Sequence, residues 1–474
     1  MPTLPRDTLP RHLAAGLPPP PGPVLVWGVG ASEVAAGLAA LGYAARPEAS
    51  GDAAGPGHGA GRPAPQEAPV AAAVVLAAAV PAAADLSALR RALTPEGRLV
   101  MAAGADREGA RRLAEAGFVV LEEGVTPAAG DGPRALIARR DEHRIRPAGE
   151  ADAEAILALF RRAFHVDRSL EYWRWKYRRS PWGEGPISVA VGPGGELAAH
   201  YAGYPLRFVA SGDGAPHTLC CLHIGDTMTA PEARSLGRGA TNLLTRTVRH
   251  FYAAWCEGRV AFNFGVNTGK IQRFSRRTAG ARRLEDVPYR VRSLDGLRLP
   301  APERWRSRLG GWRVERVAAF DERWDELFQR VAADYGLLVE RSSRYLAWRY
   351  LERPDADYLV LAVHRRRRLA GWGVFRREGE RLVWGDALFD PRLPGAPRHL
   401  LARLPGLPET AGCRTVEGWL TERPAWWGRA VAGLGFEARP EPEDLGIVYV
   451  PFEVDPGDDL ARRLYYTKGD SDLF

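Results

Sequence analysis

The chain holds 474 residues, 46% of them apolar and 26% charged, which is room for about three globular domains and too apolar a composition to remain disordered. No run of eighteen apolar residues exists, and the opening Met1-Pro-Thr-Leu-Pro-Arg-Asp7 lacks the basic-then-apolar pattern of a signal peptide, so a cytoplasmic protein with no membrane partner is expected. The formal net charge of +8 rests on arginine, with lysine only at Lys176, Lys270 and Lys468; GC-rich coding gives that bias to any chain, so a nucleic-acid partner is not expected.

Residues 1–20 read as a loose leader. Val24–Trp27 is a short strand running into Gly28-Val-Gly30, then a helix from Ala31 to Leu41. Gly51–Pro69 is a Gly/Ala/Pro loop. A strand over Val70–Val80, a helix over Asp85–Leu93, a strand at Arg98–Met101, a helix over Arg107–Ala116 and a strand ending at Ala138 follow. This alternation predicts a small three-layer α/β domain over residues 1–140. The pattern then restarts. Glu150–Phe160 is an amphipathic helix with acidic residues in its first turn, and a domain over 141–295 is expected. A Gly/Pro/Arg connector over 293–312 leads to another domain over 310–474, which opens with the helix Phe320–Ala332. The basic run His364–Arg368 falls where a hairpin tip is expected. Cys220, Cys221, Cys256 and Cys413 show neither metal-ligand spacing nor a disulfide framework, and no metal is expected.

The last two domains share a motif. Tyr172, Trp175, Lys176, Tyr177 and Pro181 recur as Tyr345, Trp348, Arg349, Tyr350 and Pro354, and the register still holds at Ala190-Val191 and Ala362-Val363. Two copies of one domain follow, not a short-period solenoid. The aromatic pairs at helical spacing are expected to anchor a helix to a sheet. The closing Asp470-Ser-Asp472 reads as a mobile polar tail.

Copy one carries the chemistry. A strand over Leu219–Met228 leads into Pro231-Glu-Ala-Arg234-Ser-Leu-Gly237-Arg238-Gly239-Ala240 and then a helix over Thr241–Trp255. Glycines in such a turn let main-chain N–H groups approach a phosphate, and the helix N-terminus adds partial positive charge. Arg234 and Arg238 add cations. A pyrophosphate is the expected ligand. Copy two has no such loop after its strand Leu382–Phe389 and reads as a degenerate copy.

Loop, flanking strand and helix, and Asn267 at the end of the next strand resemble the GNAT superfamily of N-acetyltransferases. The helical motif and the ending Tyr465–Asp472 resemble a bacterial subgroup with tandem copies. The resemblance, over about residues 141–474, implies acetyl-CoA or another acyl-CoA as cosubstrate. Its pyrophosphate would lie on Arg234, Gly237, Arg238, Gly239 and Ala240, and its pantetheine arm beside Met228 and Thr229, with Asn267 nearby. The tyrosine that the family often places seven residues after the asparagine is Phe274 here, which cannot donate a proton. Asp226 and His223 are the general-base candidates. They stand three apart on one strand and should face opposite sides. In residues 1–140, Gly28-x-Gly30, Leu89–Val100 and Leu113–Phe118 resemble parts of class I methyltransferases, with Glu48 as the acidic residue for a ribose. The expected central section is shortened into the Gly51–Pro69 loop and the Val70–Val80 strand lacks a polar catalytic end, so a truncated Rossmann-like domain is expected and S-adenosylmethionine is not an expected ligand.

The fold expected is α/β, with two tandem GNAT-type mixed-sheet domains after the Rossmann-like one. The function expected is acyl-CoA-dependent N-acylation of a primary amine on a small molecule such as an amino sugar or amino acid. Two alternatives stay open: a Fem-like peptidyltransferase using aminoacyl-tRNA, and a non-catalytic CoA-binding scaffold or sensor.

Overall fold

The fold comes from a computed structural model that describes residues 23–28, 31–40, 43–48, 70–76, 82–101, 107–123, 136–211, 216–237, 242–300, 303, 309–455, 457 and 462–474. They form two compact units. The first spans the residues up to 146 together with 189–200 and 228–248; the second spans 147–188, 201–227 and 249–474.

The first unit opens with β1 (Pro23–Gly28), α1 (Ala31–Ala40), β2 (Ala44–Glu48), β3 (Val70–Leu76), α2 (Ala83–Ala92), β4 (Leu93–Met101), α3 (Arg107–Glu115), β5 (Phe118–Glu123) and β6 (Leu136–Arg140). They form one sheet in the order β2-β1-β3-β4-β6-β5. The first four strands are parallel, and β6 lies antiparallel between β4 and β5. Leu86, Leu89, Leu99, Leu113 and Phe118 pack its core. The unit does not stop at residue 140. Arg246 pairs with the buried Asp141 carboxylate, so the unit holds a stretch from the middle of the chain.

Two copies of one fold follow, and between them they build two mixed sheets. The first copy holds β7 (Arg144–Pro147), α4 (Ala153–Phe164), α5 (Leu170–Arg178), β8 (Ile187–Val191), β9 (Leu197–Ala210), β10 (His217–Thr229), α6 (Leu243–Phe251), β11 (Phe262–Thr268), α7 (Gly269–Thr278), β12 (Arg282–Asp286) and β13 (Tyr289–Ser293). The second copy holds β14 (Trp312–Arg316), α8 (Glu322–Tyr335), β15 (Leu337–Val339), α9 (Ser343–Tyr350), β16 (Leu359–Arg365), β17 (Arg368–Glu378), β18 (Arg381–Phe389), α10 (Ala396–Leu401), β19 (Thr415–Trp419), α11 (Ala425–Gly433), β20 (Glu437–Ala438) and β21 (Leu445–Pro451).

The sheet orders are β7-β8-β9-β10-β11-β21-β12 reversed end for end, with β15 added on β9, and β14-β16-β17-β18-β19-β13-β20. The two orders are the same, with one exchange. β21, expected to close copy two, pairs antiparallel with β11, while β13, expected to close copy one, pairs antiparallel with β19. Local chemistry accounts for this. Only Val287 and Pro288 separate β12 from β13. A two-residue hairpin needs positive φ that proline cannot adopt, and proline also holds the residue before it extended. The chain therefore runs straight on into the other sheet. Pro440 and Pro442 stand in the corresponding link before β21.

The repeated motif forms the contact between copies. Trp175 on α5 and Trp348 on α9 stack at 4.9 Å with planes 16° apart. Each indole N–H donates to the main-chain oxygen of the other tryptophan, at 2.7 and 3.0 Å. The aromatic pairs thus join helix to helix across a local pseudo-twofold, instead of only joining helix to sheet. The tail differs from expectation as well. Asp470, Ser471 and Phe474 are buried. Arg349 donates to the main-chain oxygens of Gly469, Ser471 and Phe474. The basic run turns through Arg366 and Arg367 between β16 and β17.

Candidate functional site

β10 and β11 run parallel but pair only at Cys221–Phe262, Leu222–Asn263 and His223–Phe264. Beyond these the strands part. Asp226 takes a φ of +50°, which costs a non-glycine residue on the order of 1 kcal/mol and breaks the strand's alternation. Ile224 and Thr227, three apart, therefore line one cleft. His223, also three residues before Asp226, feels the charges of Asp472, Lys176 and Asp226 itself, and Asp226 pairs with the same Lys176. The expectation that they face opposite sides is corrected by this local reversal.

The cleft encloses about 350 Å³, part of it open to solvent. Tyr201, Tyr252, Gly265, Asn267 and Ser275 contribute to its walls. A side chain at Gly265 would approach the Ile224 carbonyl to 3.2 Å, so the residue keeps the two strands close at the vertex. The Asn267 main-chain oxygen accepts from Gln272 at 2.7 Å.

The charged cluster is built on α5. The Lys176 ammonium, with 1% of its side chain exposed, touches Asp226 at 2.8 Å and Asp472 at 2.9 Å. The Tyr177 hydroxyl donates to Asp226 at 2.7 Å. Burial alone would lower the Lys176 ammonium, but the two carboxylates outweigh it and hold it well above its ordinary value. Burial would raise Asp472, and Lys176 outweighs that, holding the acid far below the usual carboxylate range. His223 is buried, stacked on Tyr204 at 4.9 Å, with no partner for either ring nitrogen among the described residues. Burial pushes it down to about 4 against the pull of Asp472, so it is neutral at pH 7.

Copy two repeats the cluster, a correspondence the sequence reading missed. Gly385-Asp386 matches Gly225-Asp226, and Tyr350 donates to Asp386 at 2.6 Å as Tyr177 does to Asp226. Arg341 stands for the lysine, holding Asp386 at 3.0 Å and Asp470 at 2.8 Å. One difference separates the copies. Asp226 and Asp472 keep 19% and 18% of their side chains exposed, whereas Asp386 and Asp470 keep 0% and 4%. Copy two's carboxylates are sealed, and copy one's are within reach of a solute. Lys176 and Asp472 are the residues that sequence reasoning left out of the site; the scarcity of lysine and the acidic pair in the tail were the available signals.

The loop after β10 lies in the first unit. Met228 is buried and Thr229 half-buried, and the Ala230 N–H donates to Ala198 at 2.9 Å. Arg234 is exposed, and Gly237 takes a φ of +74°, a conformation that favours glycine. Asn242 caps α6 by accepting from the main-chain N–H groups of Leu244 and Thr245 at 3.1 and 3.4 Å. Arg238, Gly239 and Ala240 lie outside the described residues, as do Gly30 and the Glu48 side chain. Phe274 lies on α7.

Residues 144–274 match the family model described as an acetyltransferase (GNAT) domain. Among solved structures, a conserved protein of unknown function from Enterococcus faecalis V583, described as a probable N-acyltransferase, is 12% identical with a TM-score of 0.50, over 66% of this chain and 73% of that one. GCN5-related N-acetyltransferases from Kribbella flavida (16% identical, TM-score 0.45, 68% and 74% covered) and Anabaena variabilis (14%, 0.43, 65% and 72%) also match. Such identities speak to fold alone. No curated protein matches the chain. Among the described residues no helix is long and apolar enough to cross a membrane. The two mixed sheets are GNAT-like, and the match over residues 144–274 supports acetyltransferase activity.

Proposed function

We propose that this enzyme transfers an acyl group, acetyl in the first instance, from an acyl-CoA to a primary amine on a small molecule such as an amino sugar or amino acid. The observation that carries the reading is the early end of β10–β11 pairing, which opens a cleft at the strand that leads into the Arg234–Gly239 loop. In this reading the pyrophosphate lies on Arg234, Gly237, Arg238, Gly239 and Ala240 at the start of α6. The pantetheine arm runs beside Met228, Thr229 and Asn267. Main-chain N–H groups freed where β10 leaves β11 polarise the thioester carbonyl.

The attacking amine must lose a proton. Asp226 receives it, directly or through one water, with Lys176 holding Asp226 and Asp472 in place. His223, which burial keeps unprotonated near neutrality, is the second candidate base, though a base pushed down to about 4 is a weak one. Copy two, with its sealed carboxylates, serves as a structural partner.

Thiol release from acetyl-CoA across a panel of amino sugars and amino acids tests this reading. Acceptor-dependent release that Arg234→Ala weakens through KM for acetyl-CoA supports it. Acetyl-CoA binding without turnover on any amine would favour the sensor reading, to which Phe274 lends weight. Steeply salt-dependent tRNA binding would favour the peptidyltransferase. For residues 23–140 the antiparallel β6 between β4 and β5 supports a truncated methyltransferase-like module without activity, which measurable S-adenosylmethionine binding would refute.

A further inference from the structure

The departing group in this reaction is a thiolate. As the amine nitrogen forms its bond to the acyl carbon, the carbon–sulfur bond breaks and its electron pair goes to sulfur. A thiolate left in a half-buried cleft needs a proton or a strong donor, and Phe274 supplies neither. Three phenols and two alcohols line the cleft: Tyr201, Tyr252, Tyr449, Thr227 and Ser275; the Tyr449 hydroxyl is already bonded to Arg282. The Tyr201 and Tyr252 hydroxyls are 3.3 Å apart. A hydroxyl pair uses one of its two protons internally and leaves the other O–H to be given elsewhere.

The environment says which is left. Tyr201 is 6% exposed, and Tyr252 is its hydroxyl's partner, so satisfying the deeper phenol means that it donates to Tyr252. The Tyr252 ring is half-buried, and its O–H then faces the cleft. Tyr252 also begins the π-helical turn Tyr252–Cys256 that ends α6, a local widening frequent at functional sites. Burial raises both phenols, so each carries its proton at neutral pH. Asn263 adds an independent sign of a ligand. It lines the same cleft, is 1% exposed, and its Oδ1 has no partner among the described residues, as suits an acceptor awaiting an amide N–H.

We infer that Tyr252 is the proton donor to the departing thiolate, held in that orientation by Tyr201. This rests on the reading of the cleft as the acyl-donor site. The Tyr252 proton goes to sulfur to give the free thiol, and the proton lost by the amine returns to the Tyr252 oxygen through solvent, so the protein ends unchanged. Ser275 on α7 is the competing donor, and the Ser275→Ala control separates it from Tyr252.

The thiol of bound CoA tests this without an acceptor. A donor to sulfur stabilises the thiolate, so its ultraviolet absorbance in the complex should titrate about one pH unit higher in Tyr252→Phe than in the parent chain. Affinity for CoA should stay within about threefold, and Ser275→Ala should leave the titration in place. An unmoved titration in Tyr252→Phe, a shift in Ser275→Ala, or loss of CoA affinity in Tyr252→Phe overturns the assignment. Failure of the parent chain to bind CoA would instead remove the acyl-donor reading, and this role with it.

Discussion

Lys176 is the point on which the copy-one cluster turns, and Lys176→Met is the sharpest perturbation of it. Methionine keeps the unbranched stem among Tyr177 and Tyr204 but removes the cation that touches both Asp226 and Asp472. Removing one partner from a buried ion pair costs about 3–5 kcal/mol, because the charges left behind are unpaired. Two carboxylates then share a site, and one of them must take up a proton more readily than an ordinary acid. The sign follows for each protein. In the parent chain Asp472 is depressed, so its contribution is present above the unfolded carboxylate range and is lost as pH falls through its folded value. In the variant a carboxylate is raised, so the penalty is full near pH 7 and fades as acid protonates it. Urea melts of both full chains between pH 7 and pH 4.5 should show a gap of about 3–5 kcal/mol that narrows with acid. Adding Asp472→Asn to Lys176→Met should recover roughly half of it. A gap under about 1 kcal/mol, or one that does not change with pH, would refute the reasoning.

His223 titrates near 4 in the folded chain against 6.5 in an open one. The unfolded state therefore binds more protons between those values, and stability falls as pH drops through the window, by about 3 kcal/mol. His223→Phe should flatten that slope in pH-dependent melts while keeping the stack on Tyr204, and retained turnover would assign the base to the carboxylates. Gly385→Ala would drive a methyl to 2.0 Å from the Phe474 ring; its thermal melt should fall well below that of Gly433→Ala, where nothing stands within 4 Å. Because β13 and β21 are exchanged, the fragment 141–295 expressed alone should fail to fold cooperatively. Its circular dichroism melt should sharpen only when 296–474 is supplied with it.

Much of the fold was legible. The spacing of Tyr172, Trp175 and Tyr177 and its return at Tyr345 identified two copies, because buried aromatics at helical spacing leave a clear signature. The exchange of β13 and β21 was not legible: alternation shows that a segment is a strand but does not name the strand beside it. Pro288 was the one local hint. The loop at Arg234–Gly239 was read from glycine spacing, whereas the cap by Asn242 was passed over inside a helix begun two residues too early. The reversal at Asp226 could not be foreseen, since aspartate rarely takes a positive φ within a strand, and so the faces of His223 and Asp226 were misassigned. Asp472 was taken for a mobile tail because its partner, Lys176, lies 296 positions away. Long-range pairing is what a sequence hides best.

Calorimetric titration of the full chain with acetyl-CoA tests the central claim most directly. The account predicts one-site binding that Arg234→Ala weakens and that Gly265→Val, which would press on the Ile224 carbonyl at the vertex of the cleft, abolishes. No heat with acetyl-CoA, or binding indifferent to both substitutions, would contradict it.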